Sequence, residues 1–99
     1  MRTETITLQL EAAFDAATVA TIRPKFDEIA AANLDVVIDF SKVDFVDSSG
    51  VGAIIFLYKR LTTVGRSLTL VGVQGQPLQL MEFLRIPRVI PMRPQVSAA

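Results

Sequence analysis

The sequence contains no cysteine, no histidine and no tryptophan among its 99 residues. Without cysteine there is no disulfide, no thiolate metal site and no cysteine nucleophile. Without histidine the chain lacks the usual general base and the commonest metal ligand. Carboxylates alone can bind cations, but none here are spaced like a calcium loop. Glycine and proline number five each, while 51% of residues are hydrophobic and 20% charged. That composition packs into a globule and argues against disorder. Long apolar runs are missing as well: the longest, Val51 to Tyr58, counts only if Gly52 is allowed, far short of a membrane span. The opening MRTETITLQL lacks the apolar run and small-residue cleavage site of a signal peptide. The expectation is a cytoplasmic protein without direct membrane insertion.

A chain of this length suits one domain, 1–99, burying somewhat under about two thirds of its unfolded surface. Its ordered core is expected over about 3–92, with 93–99 a loose tail. The formal net charge is zero but uneven. Residues 1–47 carry nine acids and four bases (net −5), and residues 48–99 carry one acid and six bases (net +5). A basic stripe for nucleic acid would need clustering and interleaved aromatics, and the six bases are scattered. Internal complementarity or a protein-binding surface is the better reading, with no nucleic acid partner.

Thr3 to Leu10 alternates, with Ile6, Leu8 and Leu10 on one side, as in a half-buried strand. Asp15 offers a cap for a helix over Ala16 to Ala32, where Val19, Ile22, Phe26 and Ile29 form an apolar stripe. Pro24 interrupts that stripe and should kink or divide the helix. Asn33 ends it. The run Val36-Val37-Ile38 within Leu34 to Phe40 reads as a strand covered on both faces, and Ser41 to Val46 reads as a turn. A long helix follows from about Ser49 to Val64, closed by Gly65. Ser67 to Val73 reads as a strand, and Gln76 to Leu84 as a helix docking Leu80, Phe83 and Leu84. Val89 to Met92 reads as a short last strand among three prolines. The alternation of strands and helices implies an α/β fold with a mainly parallel sheet.

The informative stretch is Val43-Asp-Phe-Val-Asp-Ser-Ser-Gly-Val-Gly-Ala53. It delivers a carboxylate, two hydroxyls and two glycines where a strand or loop becomes a helix. Free N–H groups and the positive end of the helix dipole gather at such a point. A phosphoryl group on a serine there meets donors and a favourable field, yet adds about two negative charges beside Asp47, repelling an acidic or tightly packed partner. Gly50 and Gly52 would keep the first turn bare for close approach. The plainer reading is helix capping by Asp47 or Ser48, with glycines demanded by packing. A nucleophilic serine finds no histidine, and Lys42 and Lys59 lie far off in sequence.

The order of elements and the string Val46-Asp47-Ser48-Ser49-Gly50-Val51-Gly52 closely resemble the STAS family, specifically bacterial anti-sigma-factor antagonists. The resemblance spans nearly the whole chain, including Val36 to Phe40 and Gly65 to Val73. It implies a STAS-like single domain with a mixed, mostly parallel sheet and helices packed against it. It also implies that Ser49, the second serine of the motif, is the phosphorylation site, with no cofactor of its own. By the same resemblance, the unmodified protein binds an ATP-dependent anti-sigma serine kinase of the histidine-kinase-like ATPase type and releases its sigma factor. The kinase then phosphorylates its partner, and a serine phosphatase restores it. The chain is the substrate in that cycle and catalyses nothing. Asp47 matches the acid beside the phosphoserine and Asp15 the acid of the loop after the first strand. Ser48, Gly50, Val51 and Gly52 match the rest of the switch and would meet the kinase near its nucleotide lid.

Two positions depart from the pattern. An additional N-terminal strand has no full counterpart, which leaves a sheet edge or a dimer contact open. Ala12 replaces a usual glycine in the loop before Asp15. The helix from Val51 is apolar around much of its circumference: Ile54, Ile55, Tyr58 and Leu61 could cover the sheet, leaving Phe56, with Leu57, toward the other side. Phe56 is then either wedged against a neighbouring helix or part of a partner-docking face beside Ser49. Phe83 is expected in the core. The rival functional reading is a non-enzymatic STAS scaffold subunit of a membrane transport or signalling complex.

Overall fold

A computed structural model of the protein describes residues 4–94. Alternating Ile6, Leu8 and Leu10 lie in strand β1, Thr5–Phe14, followed by helix α1, Ala16–Ala31. Strand β2 is Asp35–Val46, helix α2 Ser48–Thr63 and strand β3 Leu68–Val71. Helix α3, Gly75–Phe83, a 3₁₀ turn over Ile86–Arg88 and strand β4, Met92–Arg93, complete the order. The strands stand in sequence order, β1-β2-β3-β4, and every pairing is parallel.

That order has a consequence for the helices. Right-handed crossovers that always step in one direction place every helix on the same face of the sheet. Burial agrees: Val36, Ile38 and Phe40 are buried, whereas Val37 and Asp39 between them are only half-buried. The expectation that β2 is covered on both faces is therefore corrected. Leu10, Ile38, Leu70, Ile54, Leu57 and Met81 belong to the single core beneath the helices. Phe14 sits at its end, its ring centroid 6.0 Å from Phe26 and 6.3 Å from Phe40. On the other face Gln9 Nε2 donates to Asp39 Oδ2 at 3.3 Å.

Residues 41–46 continue the strand, where a turn was expected. From Gln9 to Glu11 is two steps against three from Asp39 to Lys42, and Ala12 to Ala13 is one against two from Val43 to Phe45. Each irregularity gives β2 an extra residue, which breaks strict alternation while pairing goes on. Ala12 lies at the second irregularity with φ 59°. Its backbone takes the conformation that glycine adopts freely, at a cost for any residue with a Cβ. Ala12→Gly is expected to raise stability by about 0.5–1 kcal/mol, read by urea unfolding, because the relieved strain exceeds the added chain entropy.

Helix α1 runs through Pro24 without division. The proline removes the hydrogen bond to the Ala20 carbonyl, but both residues are exposed, so the carbonyl is not left in a dry interior. Asn33 takes a left-handed conformation just past the helix (φ 61°). Gly65 does the same after α2 (φ 76°), where Gly65 N–H donates to Thr62 O at 3.1 Å and Arg66 N–H to Leu61 O at 2.8 Å. These are the two bonds of a Schellman cap. In α3, Pro77 and Met81 are buried one turn apart. Phe83, expected in the core, is instead 81% exposed. Two residues beyond Met81 means roughly 200° around the helix, onto the opposite side. The last strand also shifts: Ile86 and Ile90 turn inward, and pairing starts only after Pro91, whose carbonyl accepts from Leu70 N–H at 2.9 Å. Arg93 thus lies in β4, while the expected loose stretch 95–99 is outside the described residues. The side of β1 away from β2 has no strand partner among the described residues.

Candidate functional site

Phe14 and Val46 are register partners at the ends of β1 and β2. The next residues, Asp15 and Asp47, therefore leave the sheet side by side at its C-terminal edge, and each caps a helix. Sites in parallel α/β folds gather at this edge. Asp47 Oδ1 accepts from Gly50 N–H at 3.0 Å, and Asp47 O accepts the first helical bond, from Val51 N–H at 3.1 Å. The capping reading of Asp47 is thus realised in the geometry.

Asp15 Oδ1 accepts from Thr18 N–H at 3.1 Å. The Thr18 hydroxyl stands within hydrogen-bond distance of both that carboxylate (3.1 Å) and the Ala13 carbonyl (2.9 Å). The Thr18 N–H, followed by its hydroxyl, holds the Asp15 carboxyl below the ordinary aspartate range. Burial pushes Asp39 up, but the Ser41 N–H at 2.8 Å, the Ser41 hydroxyl, Gln9 and the charge of Lys42 outweigh it and leave it lowered too. A carboxyl lowered in the folded state stabilises above the unfolded value, about 3.9, and that stabilisation is lost as pH falls through the folded value. Unfolding followed from pH 5 to pH 2 is expected to show a shallower acid slope for Asp15→Asn, which still caps but no longer titrates, than for the wild type.

The motif residues divide between surface and interior. Ser48 and Ser49, the first two residues of α2, are exposed, as is Gly52. Gly50 and Val51 are buried. A Cβ on Gly50 would lie 2.2 Å from Phe14 O and 2.9 Å from Phe14 Cδ2, whereas one on Gly52 would meet nothing within 4 Å. Gly50 therefore lets the helix start press on the end of β1, and the bare surface expected of both glycines belongs to Gly52 alone. Val51 is part of the core, as is Leu57. Phe56 is 54% exposed, with the Arg60 guanidinium 5.7 Å from its ring centroid.

Ser49 opens into a groove of about 530 Å³ between α1 and α2. Small residues, Ala16 and Ala20 on one helix and Gly52 and Ala53 on the other, keep it open; Val19, Phe26 and Leu57 line it with apolar surface. Phe56 and Arg23 also border it, and an Arg60–Asp27 ion pair ties the two helices at the end far from Ser49. Ala16 near Ser49 and Asp27 on Arg60 mean that α1 and α2 run in the same direction, both starting at this edge. The half of the groove supplied by α1 was not anticipated. Its apolar stripe was legible, but nothing local says that a stripe leaves a gap.

Gln76 was missed altogether as a site residue. Its Oε1 accepts from Val46 N–H and its Nε2 donates to Val46 O, both at 2.9 Å. Strand β3 pairs with β2 only as far as Asp39, so the end of β2 lacks a neighbour on that side. The Gln76 amide supplies the missing strand contact, and Gln74 Nε2 does likewise for Ser41 O at 3.1 Å. No local signal reveals this, because the partner is 30 residues away. Gln76→Leu is expected to cost about 1–3 kcal/mol in urea unfolding, since the buried Val46 backbone loses both partners.

Among the described residues no group of three or more His, Cys, Asp or Glu could hold a metal, and no helix is long and apolar enough to cross a membrane. Fold and site together define a small parallel α/β module, with helices on one face and a serine displayed at a capped helix start. The chain belongs to the STAS domain family, whose profile matches residues 2–99. No curated protein matches it by sequence. In fold it is similar to a Thermotoga maritima protein provisionally assigned as an anti-sigma factor antagonist, with a TM-score of 0.85, 17% identity, and coverage of 93% of this chain and 80% of that one. It is similar to the anti-sigma factor antagonist SpoIIAA in its unphosphorylated form, with a TM-score of 0.73, 20% identity, and coverage of 98% and 84%. It is also similar to a sulfate transporter family protein from Wolinella succinogenes, with a TM-score of 0.76, 13% identity, and coverage of 90% and 75%.

Proposed function

We propose that this chain is a phosphorylation-regulated protein-binding switch, an anti-sigma-factor antagonist that binds an anti-sigma serine kinase while Ser49 is unmodified. The observation that carries the reading is the exposed Ser49 at the second position of α2, at the mouth of the α1–α2 groove. Asp15, Asp47, Ser48, Gly52 and Phe56 form the contact surface around it. Gly50 and Val51 act from beneath, by fixing the course of the first turn.

The kinase supplies ATP and the catalytic groups. A bond forms between Ser49 Oγ and the γ-phosphorus, the bond to the β,γ-bridging oxygen breaks, ADP leaves, and the hydroxyl proton passes to a base of the kinase. The product carries about two added negative charges beside Asp47 and Asp15, which repel a docked partner and release it. A serine phosphatase hydrolyses the phosphoserine with water, releasing inorganic phosphate and restoring the hydroxyl. The fold needs no rearrangement, because Ser49 is already exposed.

A second reading, a STAS scaffold subunit of a transport or signalling complex, is supported by the likeness to the sulfate transporter family protein. The two are separated by capture on immobilised wild type and Ser49→Glu, with the retained proteins identified. Retention of a histidine-kinase-like ATPase by the wild type alone supports the switch. Equal retention of transporter components by both proteins supports the scaffold and overturns the switch.

A further inference from the structure

Strand β1, Thr5–Phe14, ends the sheet, and its side away from β2 carries no strand among the described residues. Backbone N–H and C=O groups along such an edge form a template for another strand. Natural edges are blunted by short length, proline, lysine, inward-pointing charge or bulges. β1 is ten residues long and holds no proline, lysine or arginine. Its one charged residue, Glu11, is exposed, as are Thr5, Thr7 and Gln9. The extra residues at the two register irregularities belong to β2, so β1 stays regular until Ala12, whose left-handed backbone ends the run. On the helix side Ile6 and Leu8 are only half-buried, while Leu10 is buried. The opposite edge is protected: β4 is two residues long, Met92–Arg93, and lies between Pro91 and Pro94.

We propose that β1 pairs antiparallel with β1 of a second copy, about a two-fold axis through Leu8 and perpendicular to the sheet. The strand is self-complementary in that register. Leu8 of one copy meets Leu8 of the other and Ile6 meets Leu10, which carries the apolar row across the seam. On the other face Thr7 meets Gln9 and Thr5 meets Glu11, polar against polar. The two Glu11 side chains fall at opposite ends of the seam, about 20 Å apart and beyond effective repulsion. An axis through Thr7 would set Glu4 against Leu10, and one through Gln9 would carry the pairing onto left-handed Ala12. A self-complementary strand and a single open edge select a second copy as the occupant, and the protected β4 edge stops assembly at two. Ser49 stands on α2, which joins β2 to β3 and so lies farther from this edge than α1. The pairing leaves the Ser49 surface free, with both copies' helices on the same face, and the inference stands whether or not Ser49 is modified.

The test is analytical sedimentation of the full chain over a range of concentrations. The wild type is expected in a micromolar monomer–dimer equilibrium, since a seam of two strand edges is small. Thr7→Lys with Gln9→Lys sets like charges opposite each other and should weaken the dimer by about tenfold or more. Thr7→Glu with Gln9→Lys sets opposite charges across the same two pairs and should restore it. The chain has no cysteine of its own, so cross-linking reads the register. In an oxidised mixture of Thr7→Cys and Gln9→Cys the mixed disulfide should outweigh either homodisulfide, because opposed Cα atoms stand about 4.5–5.5 Å apart. A wild type that stays monomeric at millimolar concentration overturns the proposal. So do equal dissociation constants for the two double variants, species that grow beyond a dimer, or a predominance of homodisulfides.

Discussion

Gly50→Ala is expected to cost about 3 kcal/mol or more, a large share of the total stability of a small domain. The added Cβ falls 2.2 Å from the Phe14 carbonyl oxygen, and that oxygen belongs to backbone at the end of β1, where it cannot swing aside. Either the helix start lifts away or the strand end shifts. Both loosen the Asp47–Gly50 cap and the Phe14 ring packed against Phe26 and Phe40. Gly52→Ala, two residues on in the same turn, should instead stabilise by about 0.5–1 kcal/mol through helix propensity, because open space surrounds it. Urea unfolding of the pair checks the argument: equal midpoints would contradict the close approach of α2 to β1.

Phosphorylation of Ser49, or Ser49→Glu, is expected to weaken the kinase complex by about 100-fold or more, equivalent to about 3 kcal/mol, the scale of an unpaired charge forced into an interface. The effect on the fold should have the opposite sign. Ser49 is exposed in the first turn of α2, where a negative charge interacts favourably with the helix dipole by about 0.3–1 kcal/mol. A protein that melts no lower than the wild type yet binds far more weakly shows that charge at the contact, and no structural damage, causes release. Calorimetric affinities alongside thermal melts check both halves. Reduced stability in Ser49→Glu would point to a hydroxyl with a structural task.

Much of the helical framework was legible because helix ends carry local chemistry. Asp15, Asp47, Asn33 and Gly65 each mark a terminus by what their own side chain or backbone can do. Strand β2 was cut short in the sequence reading because its extra residues disrupt the alternation that identifies strands. Val37 looked doubly buried because Val36-Val37-Ile38 is continuous, but one-sided coverage follows from strand order, which no short run encodes. At the site, the string from Asp47 to Gly52 marked the place, while the roles within it depended on the sheet. Gly50 answers to Phe14, 36 positions earlier in the sequence, and Val51 to the core. Gln76 and the α1 wall of the groove arise wholly from tertiary contact. Phe83 was misplaced because an apolar residue in a short helix suggests docking, and its two-residue offset from Met81 decides otherwise.

The central claim is that Ser49 is the residue modified. Its most direct test is the intact mass of wild type, Ser48→Ala and Ser49→Ala after incubation with ATP and a lysate of the source cell. One phosphate, about 80 Da, on the wild type and Ser48→Ala but not on Ser49→Ala is the expected result. No phosphate on any of the three, in a lysate that modifies a control substrate, would contradict the switch and leave a constitutive scaffold.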